Sequence, residues 1–242
     1  NGDRLIMDPE NQIIIVNPDE IELKHFKKIQ SENNSLIKSF KRTTSKKAVT
    51  KDRIKIDVMC NLELSEEVKL LNDSSDGVGL FRTEYLYMNR NDLPTEQEQF
   101  QAYSKVFNKV KNKPVTLRTL DIGSDKEVSE NIKVGQIAKN PALGLRGIRY
   151  SLYEKNLFKV QIKAMLRAAK KGKLRILIPM ITTLDEINKA RELIEEAKVE
   201  LIKEKKSFCQ KYELGIMIEV PASAIQSNVL SKHVDFMSIG TN

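Results

Sequence analysis

Arg82, Arg118, Arg146, Glu219 and Asn242 have the types and spacing to do chemistry on an anion. Arg82 follows the apolar run Gly77-Val78-Gly79-Leu80-Phe81 and leads into Thr83-Glu84. Arg118 lies near the end of a second run and leads into Asp121, and Glu219 closes a third just before Val220-Pro221. Asn242 follows the last run, and Arg146 sits in the glycine-flanked string Gly144-Leu145-Arg146-Gly147. A guanidinium offers a planar fork of donors that fits phosphate or carboxylate, and a carboxylate beside such arginines can hold Mg²⁺. The set suits a small phosphate- or carboxylate-bearing ligand. Each residue also has a plainer reading: Arg118 can pair with Asp121, Glu219 can open a helix, and Arg149 can be surface helix charge, with Arg146 turned inward.

The surrounding pattern supplies elements to position them. Strand candidates at 54–62, 77–81, 114–120, 174–180, 214–220 and 234–239 alternate with helices at about 65–72, 95–111, 155–171, 183–205 and 221–230. Thr95 with Glu98 and Thr183 with Glu186 form capping-box signatures. Leu184, Ile187, Ala190, Ile194, Ala197 and Leu201 recur at helical spacing. The near-continuous apolar strand Leu174-Arg175-Ile176-Leu177-Ile178 suits a parallel sheet covered on both faces. Repeated strand-helix units predict an α/β domain, either a doubly wound sheet or a (β/α) barrel, with functional groups at the carboxyl ends of the strands. A barrel of this kind needs eight strands. Six candidates are visible, so either the sheet is open or the chain is part of something longer. Residues 121–145 lack periodicity and predict a long functional loop.

The first 53 residues read differently. Leu5-Ile6-Met7 and Ile13-Ile14-Ile15-Val16 flank the turn-prone Asp8-Pro9-Glu10-Asn11, which predicts a strand pair. Asp19 with Glu22 predicts a helix start. Residues 41–53 hold six Lys or Arg among Thr and Ser, the composition of a solvated connector.

Composition excludes several functions. The net charge is +8, but lysines outnumber arginines 30 to 11, Trp is absent and aromatics are 6%, so nucleic-acid binding is not expected. No apolar run reaches the roughly 18 residues of a membrane span, and no signal-peptide pattern opens the chain. Cys60 and Cys209 lack C-x-x-C spacing, which fits a reducing cytoplasm. Cys209 reads as a core thiol and not a nucleophile. His25 and His233 form no zinc cluster, and no P-loop, G-x-G-x-x-G or serine elbow is present.

The anion-binding candidates lie inside longer strings. Asp76-Gly77-Val78-Gly79-Leu80-Phe81-Arg82-Thr83-Glu84-Tyr85-Leu86-Tyr87-Met88, followed by Leu93-Pro94-Thr95-Glu96 and Gln99-Phe100, resembles the phosphoenolpyruvate-binding barrel of the Enzyme I family of bacterial sugar phosphotransferase systems. Arg118-Thr119-Leu120-Asp121-Ile122-Gly123, Asn140-Pro141 to Arg146, Pro179-Met180-Ile181, Ile218-Glu219-Val220-Pro221-Ala222 and Ser238-Ile239-Gly240-Thr241-Asn242 agree in the same order. The resemblance implies three parts: 1–20 as the tail of a phosphohistidine-type domain, 21–53 as a helical linker, and 54–242 as a (β/α)8 TIM barrel with about six of its eight strands. It implies that Arg82 and Arg118 hold the phosphate of phosphoenolpyruvate and that Arg146 lines that site. Asn242 would stand beside the ligand and Glu219 would be one of two Mg²⁺ carboxylates. It further implies phosphoryl transfer through an enzyme histidine to a histidine-containing phosphocarrier protein, by a cytoplasmic homodimer.

Departures shape the expectation. The second metal aspartate, a further arginine, the proton-donating cysteine and the last strand-helix units would all follow Asn242, and neither Cys60 nor Cys209 replaces that cysteine. Neither histidine lies in a glycine-rich phosphohistidine segment; Ser124 stands where the family has a second glycine, and residues 129–139 match poorly. The reading is a central fragment with no catalytic residue of its own that does not transfer phosphate alone. Dikinase or synthase barrels and a non-catalytic binding or oligomerisation module are the alternatives. Leu86-Tyr87-Met88 and Leu93-Pro94-Thr95-Glu96 favour Enzyme I.

Overall fold

The structure, a computed structural model, describes residues 2–9, 11–43, 47–71, 74–122 and 144–240, with the side chains of 40–43 left out. The chain divides into two compact units, 1–56 and 57–242.

In the first unit, β1 (Leu5–Asp8) pairs antiparallel with β2 (Ile13–Val16), Leu5 opposite Val16. The turn closes where the Asn11 side-chain amide donates to Asp8 at 2.8 Å. Helix α1 (Glu20–Thr43) starts at the expected capping box: Asp19 accepts from the Glu22 amide at 2.7 Å, and Glu22 from the Asp19 amide at 2.9 Å. A short pair, β3 (Ala48–Val49) and β4 (Lys55–Ile56), completes the unit.

The second unit is a curled sheet of six parallel strands. They are β5 (Cys60–Leu62), β6 (Val78–Arg82), β7 (Pro114–Arg118), β8 (Lys173–Ile178), β9 (Tyr212–Ile218) and β10 (Phe236–Ile239). Neighbours in the sheet are neighbours in the chain, with β5 and β10 at the edges. Strand-helix-strand crossovers between parallel strands place helices on the sheet and gather all carboxyl ends on one rim. The crossovers are a 3₁₀ turn (Ser65–Leu70), α2 (Glu96–Val110), α3 (Ile148–Tyr153) with α4 (Lys155–Ala168), α5 (Leu184–Lys203), and α6 (Pro221–Ile225) with α7 (Ser227–Leu230).

Central strands are apolar because both faces are covered: Val115, Leu117, Ile176, Leu214 and Ile216 on one face have no solvent exposure, and Leu177 and Met217 on the other are buried too. Phe81 meets Tyr103 of α2 edge to face at 5.8 Å. A smaller cluster of Tyr87, Leu120, Ile122 and Tyr150 includes the chain just after β7.

Two sequence expectations need correction. The strand expected at 54–62 is two strands in different sheets. Thr50 takes the Ile54 carbonyl at 2.9 Å, Arg53 turns at φ 68°, and β4 folds back on β3, while only Cys60–Leu62 enters the parallel sheet. Apolar alternation identifies extended backbone but not its partner. The helix expected at 221–230 divides at Gln226 into α6 and α7. The helix expected at 155–171 forms as α4, from Lys155 to Ala168, and the separate helix α3 ends just before it at Glu154, φ −96°, ψ 63°. Most of the expected loop at 121–145 lies outside the described residues, as do Ser124 and residues 129–139.

Candidate functional site

The rim at the carboxyl ends carries the charged residues. Arg82 and Arg118 are the last residues of β6 and β7 and are paired in register, so both leave the sheet at one level on adjacent strands. Arg82 donates to Glu63, just past β5, at 2.9 Å, with about a third of its side chain exposed (36%). Arg118 is buried, pairs with Glu84 in the 3₁₀ turn after β6, and lies 3.6 Å from Asp121. Asp121 therefore serves two arginines, because Arg146 reaches the same carboxylate at 3.2 Å.

Arg146 gets there through a glycine. The Gly147 amide donates to the Ile122 carbonyl at 3.3 Å and its φ is +54°. A Cβ there would lie 2.8 Å from Met180 Cγ, so a side chain at 147 would push the segment off the rim. Met180, past β8, is itself left-handed at φ +60°, a conformation that costs a non-glycine residue about 1 kcal/mol or more. It turns its amide onto Glu219 Oε1 at 2.7 Å.

Glu219 follows β9 on the open rim. Crowding of its carboxyl away from water raises its pKa above the ordinary carboxylate range, and the Asp121 charge adds to this; the Met180 amide, Arg118 and Arg146 pull it back. Three guanidiniums thus meet four carboxylates, Glu63, Glu84, Asp121 and Glu219. The arginines are already neutralised by protein charge. A polyanion entering here must displace carboxylates or arrive with a cation.

The fit of Mg²⁺ follows from that donor set. Mg²⁺ is usually held by one or two carboxylates with substrate oxygens and water completing the octahedron. Glu219, on the rim near Asp121, is a carboxylate that could hold such an ion. Among the described residues no three His, Cys, Asp or Glu side chains group as a ready-made metal cage.

Arg82, Arg118, Arg146 and Glu219 are brought to one rim. Asn242 lies outside the described residues. Arg118 does pair with Asp121, as its plainer reading has it. Sequence reasoning missed Glu63 and Glu84 as partners, although Glu84 stands inside the quoted Arg82-Thr83-Glu84 string. Cys209 is buried and its thiol is pushed up to about 11 by burial, which makes it a poor nucleophile. His25 and His233 are exposed. Among the described residues no helix is long and apolar enough to cross a membrane.

Residues 38–242 match the family model for the PEP-utilising enzyme, PEP-binding domain. The match opens inside α1, upstream of the expected start at about 54. A phosphoenolpyruvate-protein phosphotransferase of Priestia megaterium is 40% identical over 243 residues, covering 100% of this chain and 42% of that protein. Those of Mycoplasma capricolum subsp. capricolum and Staphylococcus aureus are 40% and 39% identical, each again covered over 42% of its length. The chain spans about two-fifths of the length of these relatives. Matched by that family model over most of its length and about 40% identical to these relatives, the chain belongs to the PEP-utilising enzymes and carries their PEP-binding domain.

Proposed function

We propose that this chain is the phosphoenolpyruvate-binding part of a phosphoenolpyruvate-protein phosphotransferase. The observation that carries the reading is the convergence of Arg82 and Arg118, from the ends of β6 and β7, and Arg146, from the segment before α3, on the rim that also holds Glu219. Arg82 is the entry group: its pair with Glu63 is partly exposed, and such pairs exchange at little cost. Arg118 and Arg146, aimed by Asp121, supply a positive wall for phosphate oxygens once the ligand displaces a carboxylate partner or brings a cation with it. Glu219 would hold Mg²⁺, and Asn242 would stand beside the ligand. When bound, Mg²⁺ supplies positive charge on phosphate oxygens that the paired arginines do not fully neutralise.

The sheet belongs, in this reading, to an eight-stranded barrel, with 1–20 and 21–53 as a domain tail and a linker. Phosphate would leave for a histidine of another domain and then for a histidine-containing phosphocarrier protein, in a cytoplasmic homodimer. No residue of this chain accepts the phosphoryl group in that route.

Calorimetry of the 242-residue chain with phosphoenolpyruvate and Mg²⁺ tests the reading. The expected result is a single site, weakened about tenfold or more by Arg82→Ala, one lost charge-assisted bidentate contact. Glu219→Gln should weaken the Mg²⁺-dependent part only. Absence of binding, or binding indifferent to both changes, would support a non-catalytic module instead.

A further inference from the structure

We propose that Gln161, on α4 behind the rim, is a positioning residue that holds the backbone on both sides of Thr119 and so aims Arg118 and Asp121. Gln161 has no solvent exposure, and its neighbours Phe158, Ile162 and Met165 on the same helix are likewise buried and apolar. An amide in such a place costs free energy unless every polar group is satisfied. Here each is used. Oε1 accepts from the Leu120 amide at 2.9 Å, and Nε2 donates to Thr83 Oγ1 at 3.0 Å and to the Tyr103 hydroxyl at 3.5 Å. The Thr83 hydroxyl, also fully buried, donates in turn to the Arg118 carbonyl at 2.8 Å.

Arg118 is the last residue of β7, and the Thr119 amide still reaches the Leu177 carbonyl of β8 at 2.9 Å. Beyond it the chain leaves the ladder. Gln161 and Thr83 take over there, gripping the peptide groups on either side of Thr119 from two other elements. Tyr103 is braced in turn by Gln99, whose amide donates to the Pro94 carbonyl at 3.0 Å. The clamp is one connected network, so loosening its centre frees the residues that carry the guanidinium and Asp121. For ligand binding this rests on the reading above that Arg118 holds phosphate.

The test compares amide hydrogen exchange by NMR in the 242-residue chain, Gln161→Leu and Thr83→Val. Leu120 should exchange about tenfold faster or more in Gln161→Leu, because its buried amide loses its acceptor, while Ile216 of β9 keeps its protection. Thr83→Val should loosen 119–121 less, with the same localisation, and it decides the matter if Gln161→Leu does not fold. Phosphoenolpyruvate affinity should fall about tenfold with Arg118 intact. Unchanged exchange at Leu120, equal acceleration at Leu120 and Ile216, or local loosening with unchanged affinity would each overturn the role. If the wild-type chain binds no phosphoenolpyruvate, the functional reading falls, and the exchange pattern alone judges the clamp.

Discussion

Arg118 and Glu84 place opposite charges where little water reaches, with side chains 10% and 2% exposed. Burying two charges is costly, and their attraction returns that cost only while both are present. Arg118→Met should therefore lower stability by about 3–5 kcal/mol in urea unfolding. Adding Glu84→Gln should recover part of the loss, since the carboxylate no longer has to remain charged beside an uncharged neighbour. Additive losses would show that the two side chains act independently. Arg118 was recognisable in the sequence as a strand-end arginine and Asp121 as its nearby partner. Glu84 was not, because its meeting with Arg118 depends on how β6 and β7 pair, which local spacing does not encode.

Helices α2, α4 and α5 pack side by side and are joined by charge as well as by apolar contact. Glu96, the first residue of α2, pairs with Arg167 of α4, lies 3.4 Å from Lys163 and accepts from Lys206, beyond α5, at 3.0 Å. Burial pushes its pKa up, but the hydrogen bonds from Lys206 and Arg167 and the charge of Lys163 outweigh burial and hold it below the ordinary carboxylate range. The unfolded chain therefore takes up this proton first as pH falls. Stability from Glu96 is complete above the unfolded carboxylate pKa of about 4.3 and is lost as pH falls through the lower folded value. Glu96→Gln should cost about 1–2 kcal/mol at neutral pH and almost nothing in strong acid, in thermal unfolding against pH. A cost independent of pH would assign the effect to packing. The capping boxes at Thr95 and Thr183 formed where the sequence placed them, with Thr95 accepting from Glu98 at 3.2 Å and Thr183 from Glu186 at 3.3 Å. The helix break at Gln226 was not foreseen, since 221–230 reads as one helical stretch.

At the scale of the molecule, among the described residues the parallel sheet has β5 and β10 at its edges, and Ile239 on β10 is 77% exposed. Unpaired edges invite association with another strand. The sedimentation mass of the 242-residue chain should rise with concentration, and Ile239→Lys should suppress the rise. A concentration-independent monomer would show that these edges do not recruit a neighbour. The net charge of +8 sits mostly on lysine-rich surface, while the rim pairs its arginines internally. What the sequence by itself determined was the alternation of strands and helices, three helix starts and the family that its motif strings resemble, because periodicity, capping and motif strings are local properties. Tertiary structure alone decided that 54–62 serves two sheets, that Asp121 is shared by Arg118 and Arg146, and that Gln161 grips the backbone beside Thr119. These depend on strand register and on side chains tens of residues apart meeting in a dry interior, where an unsatisfied partner is too costly to leave.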